Sequence, residues 1–189
     1  MDFNFSSEQE AIREAIGSIC AHFDDAYWLE KDRTGIFPHE LHAALSAAGW
    51  LGICIPEEYG GSGLGITEAA IMVQAISESG AGLSGASAVH MNIFGLNPVV
   101  VFGTAEQKKR MLPPLVEGKE KACFAVTEPN TGLNTTQLKT RAVRQGDHYL
   151  VNGAKVWIST AQVADKMLLL ARTTPIETYG RSKFVLHKS

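Results

Sequence analysis

The sequence predicts an α+β protein, with an all-helical domain over residues 1–121 followed by an antiparallel β-barrel or sandwich over residues 122–189. Three observations predict it. Apolar residues recur at helical spacing through the first two-thirds of the chain. Beyond about Lys121 the pattern shortens to strand-like runs joined by tight turns. No flexible linker separates the two parts, so two packed domains are expected, with a ligand site along their seam.

Ser7 and Glu10 read as a capping box opening a helix whose inner face carries Ile12, Ala15, Ile16, Ile19, Cys20 and Phe23. A second helix is expected from Pro38, burying Leu41, Ala44, Leu45 and Ala48 and stopping at Gly49. Ile53-Cys54-Ile55 reads as a short extended run before Pro56, and Gly60 to Gly65 as a glycine-rich loop. Thr67 then caps a helix carrying Ile71, Met72, Ala75 and Ile76, and another covers about Ser84 to Phe94. Asn97-Pro98 restarts a helix that Gly103 closes. Thr104 with Gln107 forms a second capping box, and Pro113-Pro114 is expected to end the helix it opens.

The strand candidates are Cys123 to Thr127, Gln137 to Arg144, His148 to Val151, Lys155 to Ser159, Met167 to Arg172 and Lys183 to Leu186. Between them lie the turn Glu128-Pro129-Asn130-Thr131-Gly132, Gly146-Asp147, and the hairpin dipeptide Asn152-Gly153.

The 189 residues are 45% hydrophobic and 20% charged, an ordinary globular composition. A formal net charge of -3, and no basic cluster longer than Lys108-Lys109-Arg110, give no field for recruiting nucleic acid or an anionic membrane. Cys20, Cys54 and Cys123 lie far apart in apolar surroundings, which suits a reducing compartment better than a disulfide framework or a metal site. The N-terminus lacks the pattern of a signal or transit peptide, and no run approaches eighteen apolar residues. No membrane span is expected, and the expected location is the cytoplasm, with a mitochondrial or peroxisomal matrix as the alternative.

Several patterns invite a function and fit it poorly. The spacing Gly61-x-Gly63-x-Gly65 is not a dinucleotide fingerprint and lacks the βαβ unit that would use one. His39 and His42 do not match the His-Glu-x-x-His zinc pattern and read as solvent-facing. Glu57-Glu58 reads as a solvated turn. No metal site is expected.

Two segments carry more. Phe124-Ala125-Val126-Thr127-Glu128-Pro129 is followed some thirty residues on by Asn152-Gly153-x-Lys155-Val156-Trp157-Ile158-Ser159. Both resemble signatures of the acyl-CoA dehydrogenase middle domain, in order and at compatible spacing. The resemblance extends along the chain, through Phe5-Ser6-Ser7-Glu8-Gln9, through Gly49-Trp50-Leu51-Gly52 to Ile55-Pro56-Glu57-Glu58-Tyr59-Gly60-Gly61, and through Gly103 to Lys109 with Leu112-Pro113.

The resemblance implies a flavoprotein oxidoreductase of fatty acid metabolism that uses FAD to convert an acyl-CoA thioester to a trans-2-enoyl-CoA. It implies an electron-transfer flavoprotein as acceptor and a homo-oligomer. Carried over by position, Thr127 would meet the pyrimidine side of the isoalloxazine beside Phe124 and Val126. Ser159 would lie near flavin N5, Trp157 against the ring, and Ile158 would add a contact. Val89, His90, Met91 and Phe94 would line the acyl tunnel, His90 being an odd lining for a purely aliphatic one.

Two departures qualify this. The family turn continues Gly-Ser-Asp where this chain has Gly132-Leu133-Asn134, so by the resemblance Asn134 and Thr135 would supply substitute polar contacts for the cofactor diphosphate. Relatives run to about twice this length, and their C-terminal four-helix bundle usually provides the glutamate base. No carboxylate here matches that base, no catalytic residue is nominated, and the expected fold is an incomplete one. An acyl-CoA oxidase, or a non-catalytic subunit completing a site with a longer partner, are the alternative readings.

Overall fold

A computed structural model describes residues 4–95, 97–174 and 183–187. The side chains of Phe94 and of 183–187 lie outside the described set. The chain divides into two compact units, Met1–Glu120 and Lys121–Ser189.

The first unit is helical. Helix α1 (Ser7–Cys20) starts one residue earlier than its sequence signal suggests. Ser6 is the cap, its hydroxyl accepting from Gln9 N at 3.3 Å while Ser6 N donates to Gln9 Oε1 at 3.1 Å. Ile12, Ile16 and Cys20 form its buried stripe. Helix α3 (His39–Ala47) buries Leu41, His42 and Leu45. His42, 3% exposed, is therefore a core residue and not a solvent-facing one; its ring meets Phe37 edge-on at 5.6 Å. His39 does face solvent.

Helix α2 (Asp25–Thr34) has no counterpart in the sequence reading, because Trp28 is its only buried residue and no apolar stripe betrays it. Polar contacts supply what the stripe does not. Asp24 caps it through Tyr27 N, Lys31 pairs with Glu40 of α3 at 2.8 Å, and the Tyr27 hydroxyl donates to the same carboxylate at 2.8 Å. The Lys31 contact, the Glu40 backbone N–H and Tyr27 together hold Glu40 at a pKa of about 2.

Ile53-Cys54-Ile55 is not a strand. It follows a 3-10 turn (Trp50–Gly52), and its two isoleucines are buried without a ladder. The glycine loop wraps around it, with Ser62 N donating to Gly52 O, Gly63 N to Ile55 O and Leu64 N to Ile53 O. Gly61 is obligatory in this wrap, since a Cβ there would sit 2.0 Å from Ile55 O.

Helix α4 (Ile66–Ile76) is capped by Gly65 with Glu68, not by Thr67, and Gln9 Nε2 donates to Glu68 at 3.1 Å, tying α1 to α4. A π-turn (Ser77–Ala81), α5 (Gly82–His90), a second π-turn (Met91–Gly95) and α6 (Asn97–Phe102) continue the path. The stretch Ile66–Phe102 is long and apolar enough to cross a membrane, which no single apolar run suggested. More than half of its most apolar window is buried within the protein, as in the core helix of a folded unit.

Helix α7 (Ala105–Val116) has the expected Thr104–Gln107 capping box but runs through Pro113 and Pro114. The carbonyls those prolines leave without helical donors belong to Lys109 and Arg110, both exposed to water. Leu112, Leu115 and Val116 are buried, and that burial outweighs the lost bonds.

The second unit is a mixed sheet and a hairpin. Strand β1 (Ala122–Ala125) pairs parallel with β4 (Lys166–Ala171), in register Ala122↔Lys166, and β4 pairs antiparallel with β5 (Lys183–His187). Strands β2 (Arg141–Gln145) and β3 (His148–Asn152) form a hairpin about Gly146-Asp147. A parallel bridge between Arg141 and Arg172 stitches the hairpin to the end of β4. The expected wholly antiparallel arrangement thus gives way to one parallel pair, and the described strands close no barrel. The long excursion from β1 to β4 returns the chain in its starting direction, which a short hairpin connection could not do. Ala125, Ala142, Leu169 and Ala171 form the core, with Val151, Ile158 and Met167 packed on it. Lys155 to Ser159 is not a strand.

Two glycines test this account of the helical unit. Gly61→Ala forces a methyl group into backbone and is expected to cost on the order of 4 kcal/mol. Gly17→Ala, in α1 with nothing near its Cβ position, is expected to stabilise by roughly 0.5–1 kcal/mol. Denaturant unfolding of both variants against the unchanged chain measures the difference.

Candidate functional site

The two signature segments meet in the second unit. After β1 the chain turns at Glu128, where Glu128 and Thr131 exchange backbone bonds (Glu128 N to Thr131 O, 2.9 Å; Thr131 N to Glu128 O, 3.1 Å). The Glu128 side chain, 6% exposed, folds inward. It accepts from Lys139 N at 2.7 Å, Thr140 N at 2.8 Å and Lys155 Nζ at 3.0 Å. Lys155 also donates to Val126 O at 2.7 Å, and Val156 N donates to Thr127 O at 3.0 Å.

A buried ion pair thus ties the first signature to the second. Burial alone would raise the Glu128 pKa, but the backbone N–H groups of Lys139 and Thr140, and Lys155, outweigh it and hold the group at about 2.

Gly153 explains the other fixed position of the second signature. A Cβ there would lie 2.3 Å from Thr140 Oγ1 and 2.7 Å from Thr140 Cα. The segment after β3 therefore lies directly on the residue that binds Glu128. It then leaves the extended conformation at Trp157, whose φ is 59°, and again at Thr160, φ 70°. Trp157 is 90% exposed, whereas Thr160 is buried.

Of the residues singled out in the sequence, Phe124, Val126 and Thr127 are half-buried at the end of β1 and just beyond. Ile158 is half-buried and packs on the sheet core, Ser159 is exposed, and Leu133 is fully exposed. Asn134 is exposed, and its Oδ1 accepts from Thr136 N at 3.3 Å and Thr136 Oγ1 at 2.5 Å, capping a 3-10 turn (Thr135–Gln137). In the helical unit Val89 and Met91 are buried, and His90 is half-buried with Nδ1 2.9 Å from Ser87 O. Among the described residues no group of three His, Cys, Asp or Glu side chains could hold a metal ion.

Sequence reasoning passed over Glu128, Gly153, Lys155, Thr140 and Arg172 as working parts. Arg172 is buried, its guanidinium donating to Leu138 O and Thr136 O and its backbone bonded to Thr140 and Ala142. The signal was present: opposite charges inside two otherwise uncharged signatures, and one charge closing the apolar run Met167–Ala171.

With this geometry in place, comparison with known proteins is decisive. Residues 6–119 match the acyl-CoA dehydrogenase N-terminal domain, and residues 123–189 match the acyl-CoA dehydrogenase middle domain. The chain belongs to the acyl-CoA dehydrogenase family.

A probable acyl-CoA dehydrogenase of Bacillus subtilis (strain 168), YngJ, is 35% identical over 175 residues, covering 92% of this chain and 45% of its own length. A chain in the structure described as the electron transferring flavoprotein of Acidaminococcus fermentans superposes with a TM-score of 0.90 at 30% identity, over 100% of this chain and 50% of that one. The FAD complex of PigA gives a TM-score of 0.89 at 27% identity over the same shares. The chain therefore spans about half the length of the relatives it matches.

The ion pair carries a pH-dependent prediction. Replacing Glu128 with Gln leaves Lys155 buried and unpaired, at an expected cost of about 3–5 kcal/mol near neutral pH. Because the folded-state pKa of Glu128 is depressed, its contribution is present above the ordinary value of 4.5 and is lost as pH falls through about 2. Denaturation midpoints of the two proteins should therefore stay apart above pH 5 and converge between 4.5 and 2; a constant gap across that window would contradict the assignment.

Proposed function

We propose that this chain forms the helical and middle domains of an FAD-dependent acyl-CoA dehydrogenase, which converts an acyl-CoA thioester to the trans-2-enoyl-CoA. The observation that carries the reading is the pairing of the two signature segments through Glu128 and Lys155, with an exposed tryptophan beyond the junction.

The residues present suit a flat heteroaromatic ring with polar edges. Trp157 offers an aromatic face to solvent, Phe124 and Val126 add apolar surface, and Thr127 and Ser159 add hydroxyls. In this reading the Thr127 hydroxyl would bond the polar edge of the ring, the Ser159 hydroxyl would stabilise the negative charge that develops on reduction, and Trp157 would cover the ring. Ile158, its side chain committed to the sheet core, contributes backbone. The Asn134 oxygen is taken up by Thr136, which leaves its NH2 as the donor toward a diphosphate. The bound flavin would supply the hydride acceptor.

Val89 and Met91, buried within the helical unit, would shape the acyl tunnel from inside its wall, and the half-buried His90 would set what enters; Phe94 joins them on the resemblance alone. The base is assigned to the part of full-length relatives that this chain does not span. An electron-transfer flavoprotein as acceptor and a homo-oligomeric enzyme complete the proposal. The likeness to the Acidaminococcus flavoprotein structure and to the PigA–FAD complex supports the flavin part of the reading.

Titration of FAD with the chain, followed by isoalloxazine fluorescence, tests the site. Weak saturable binding is expected, loosened about 3- to 10-fold by Thr127→Ala and by Ser159→Ala, as the loss of one hydrogen bond implies. Binding indifferent to both substitutions would remove these residues from the site. With an acyl-CoA and an artificial electron acceptor the 189 residues alone should show no turnover; measurable turnover would mean that a base lies within them.

A further inference from the structure

Lys155 does more than neutralise a buried carboxylate. Its ammonium reaches two acceptors on one turn, the Glu128 carboxylate at 3.0 Å and the Val126 carbonyl at 2.7 Å. The Val126 carbonyl belongs to the peptide group that leads into Thr127, so a donor fixed on that oxygen fixes the plane of the 126–127 peptide. On the other side of the same residue, Thr127 O accepts from Val156 N, the neighbour of Lys155 itself. One short segment, 155–156, therefore grips Thr127 from both flanking peptides. Only then does the chain enter the two left-handed residues, Trp157 and Thr160, that bracket Ile158 and Ser159.

We propose that Lys155 is a positioning residue that builds the ring-binding platform in advance of any ligand, by locking the Val126–Glu128 turn to the segment carrying Trp157 and Ser159. Because Glu128 cancels its charge and both groups are buried, Lys155 acts through backbone geometry and not through a field on the ligand. A ligand then meets Thr127 and Ser159 already set, and little ordering accompanies binding. Lysine suits this task as a compact ammonium with several donors, able to serve a carboxylate and a carbonyl at once. The proposal rests on the flavin reading only for the identity of the ligand.

Hydrogen exchange of the ligand-free chain tests the clamp directly. In Lys155→Met the Val156 amide should exchange at least about tenfold faster while Leu169 in β4 changes less than about twofold, and Lys155→Arg should bring Val156 back to within about threefold of the unchanged chain. If Lys155→Met fails to fold, the double variant Glu128→Gln/Lys155→Met, which removes the donor to the Val126 carbonyl without leaving a buried unpaired carboxylate, is read on the same two amides. Equal acceleration at Val156 and Leu169 would show a merely structural role and overturn the proposal, as would no change at either.

FAD titration separates the two readings. FAD affinity at least tenfold weaker in the variant that frees Val156 supports positioning, and unchanged affinity in that variant overturns it. No saturable FAD binding by the unchanged chain would sink the flavin reading, while the exchange data would still decide the clamp.

Discussion

The β unit depends on a single buried contact, the pair between Glu128 and Lys155. Buried ion pairs repay their desolvation only when the remaining hydrogen-bonding capacity of each partner is used. Here it is. The carboxylate takes two backbone N–H groups besides the ammonium, and the ammonium takes a carbonyl besides the carboxylate. Those partners come from the turn after β1, from the approach to β2 and from the segment after β3. Such a pair fixes three non-repetitive stretches against one another, which strand ladders cannot do. Gly153 and Arg172 extend the arrangement, one by letting the chain lie on Thr140, the other by bonding the carbonyls of Thr136 and Leu138.

The helical unit meets the same difficulty, of holding irregular chain to regular chain, with other means. Around Ile53–Ile55 the glycine loop uses backbone bonds and the bare Cα of Gly61. Between helices, polar side chains bridge: Gln9 reaches Glu68, and Lys31 with Tyr27 reaches Glu40. The Glu40 contacts are largely solvated and add little stability. Their effect is geometric, placing a helix whose only buried residue is Trp28.

What could be read from the sequence follows from this division. Amphipathic helices α1 and α4 were legible because their buried residues recur on one face, and the hairpin because Gly146-Asp147 sits between alternating runs. Helix α2 was hidden because polar contacts, not a stripe, hold it. Pro113-Pro114 misled because the exposure of Lys109 and Arg110, whose carbonyls they leave without helical donors, is a tertiary fact. Lys155 to Ser159 looked like a strand because Val156, Trp157 and Ile158 are strand formers, yet the ladder ends at Asn152, and φ turns positive at Trp157. The parallel pairing of β1 with β4 depends on how a forty-residue excursion returns, which local pattern does not record. At the site, the signatures named the ligand-facing candidates, but the residues supporting them emerged only when Glu128 and Lys155 were seen to meet.

The left-handed backbone at Trp157 bears on the proposed role of this segment. A non-glycine residue in that region costs roughly 1–2 kcal/mol, and an aromatic side chain left in water forgoes the burial of roughly 150–250 Å2. Folding alone gains from neither, and both fall at one residue that the surrounding chain holds firmly, between Val156 bonded to Thr127 and Ile158 packed on the core. Strain that the neighbouring structure enforces, next to an exposed ring, fits the proposed role of this position in meeting a partner better than a role in stability. The hydroxyls of Thr127 and Ser159 lie in the same two short segments. A flat, apolar ligand with polar edges would bury the indole and use those hydroxyls together, which is the chemistry of an isoalloxazine.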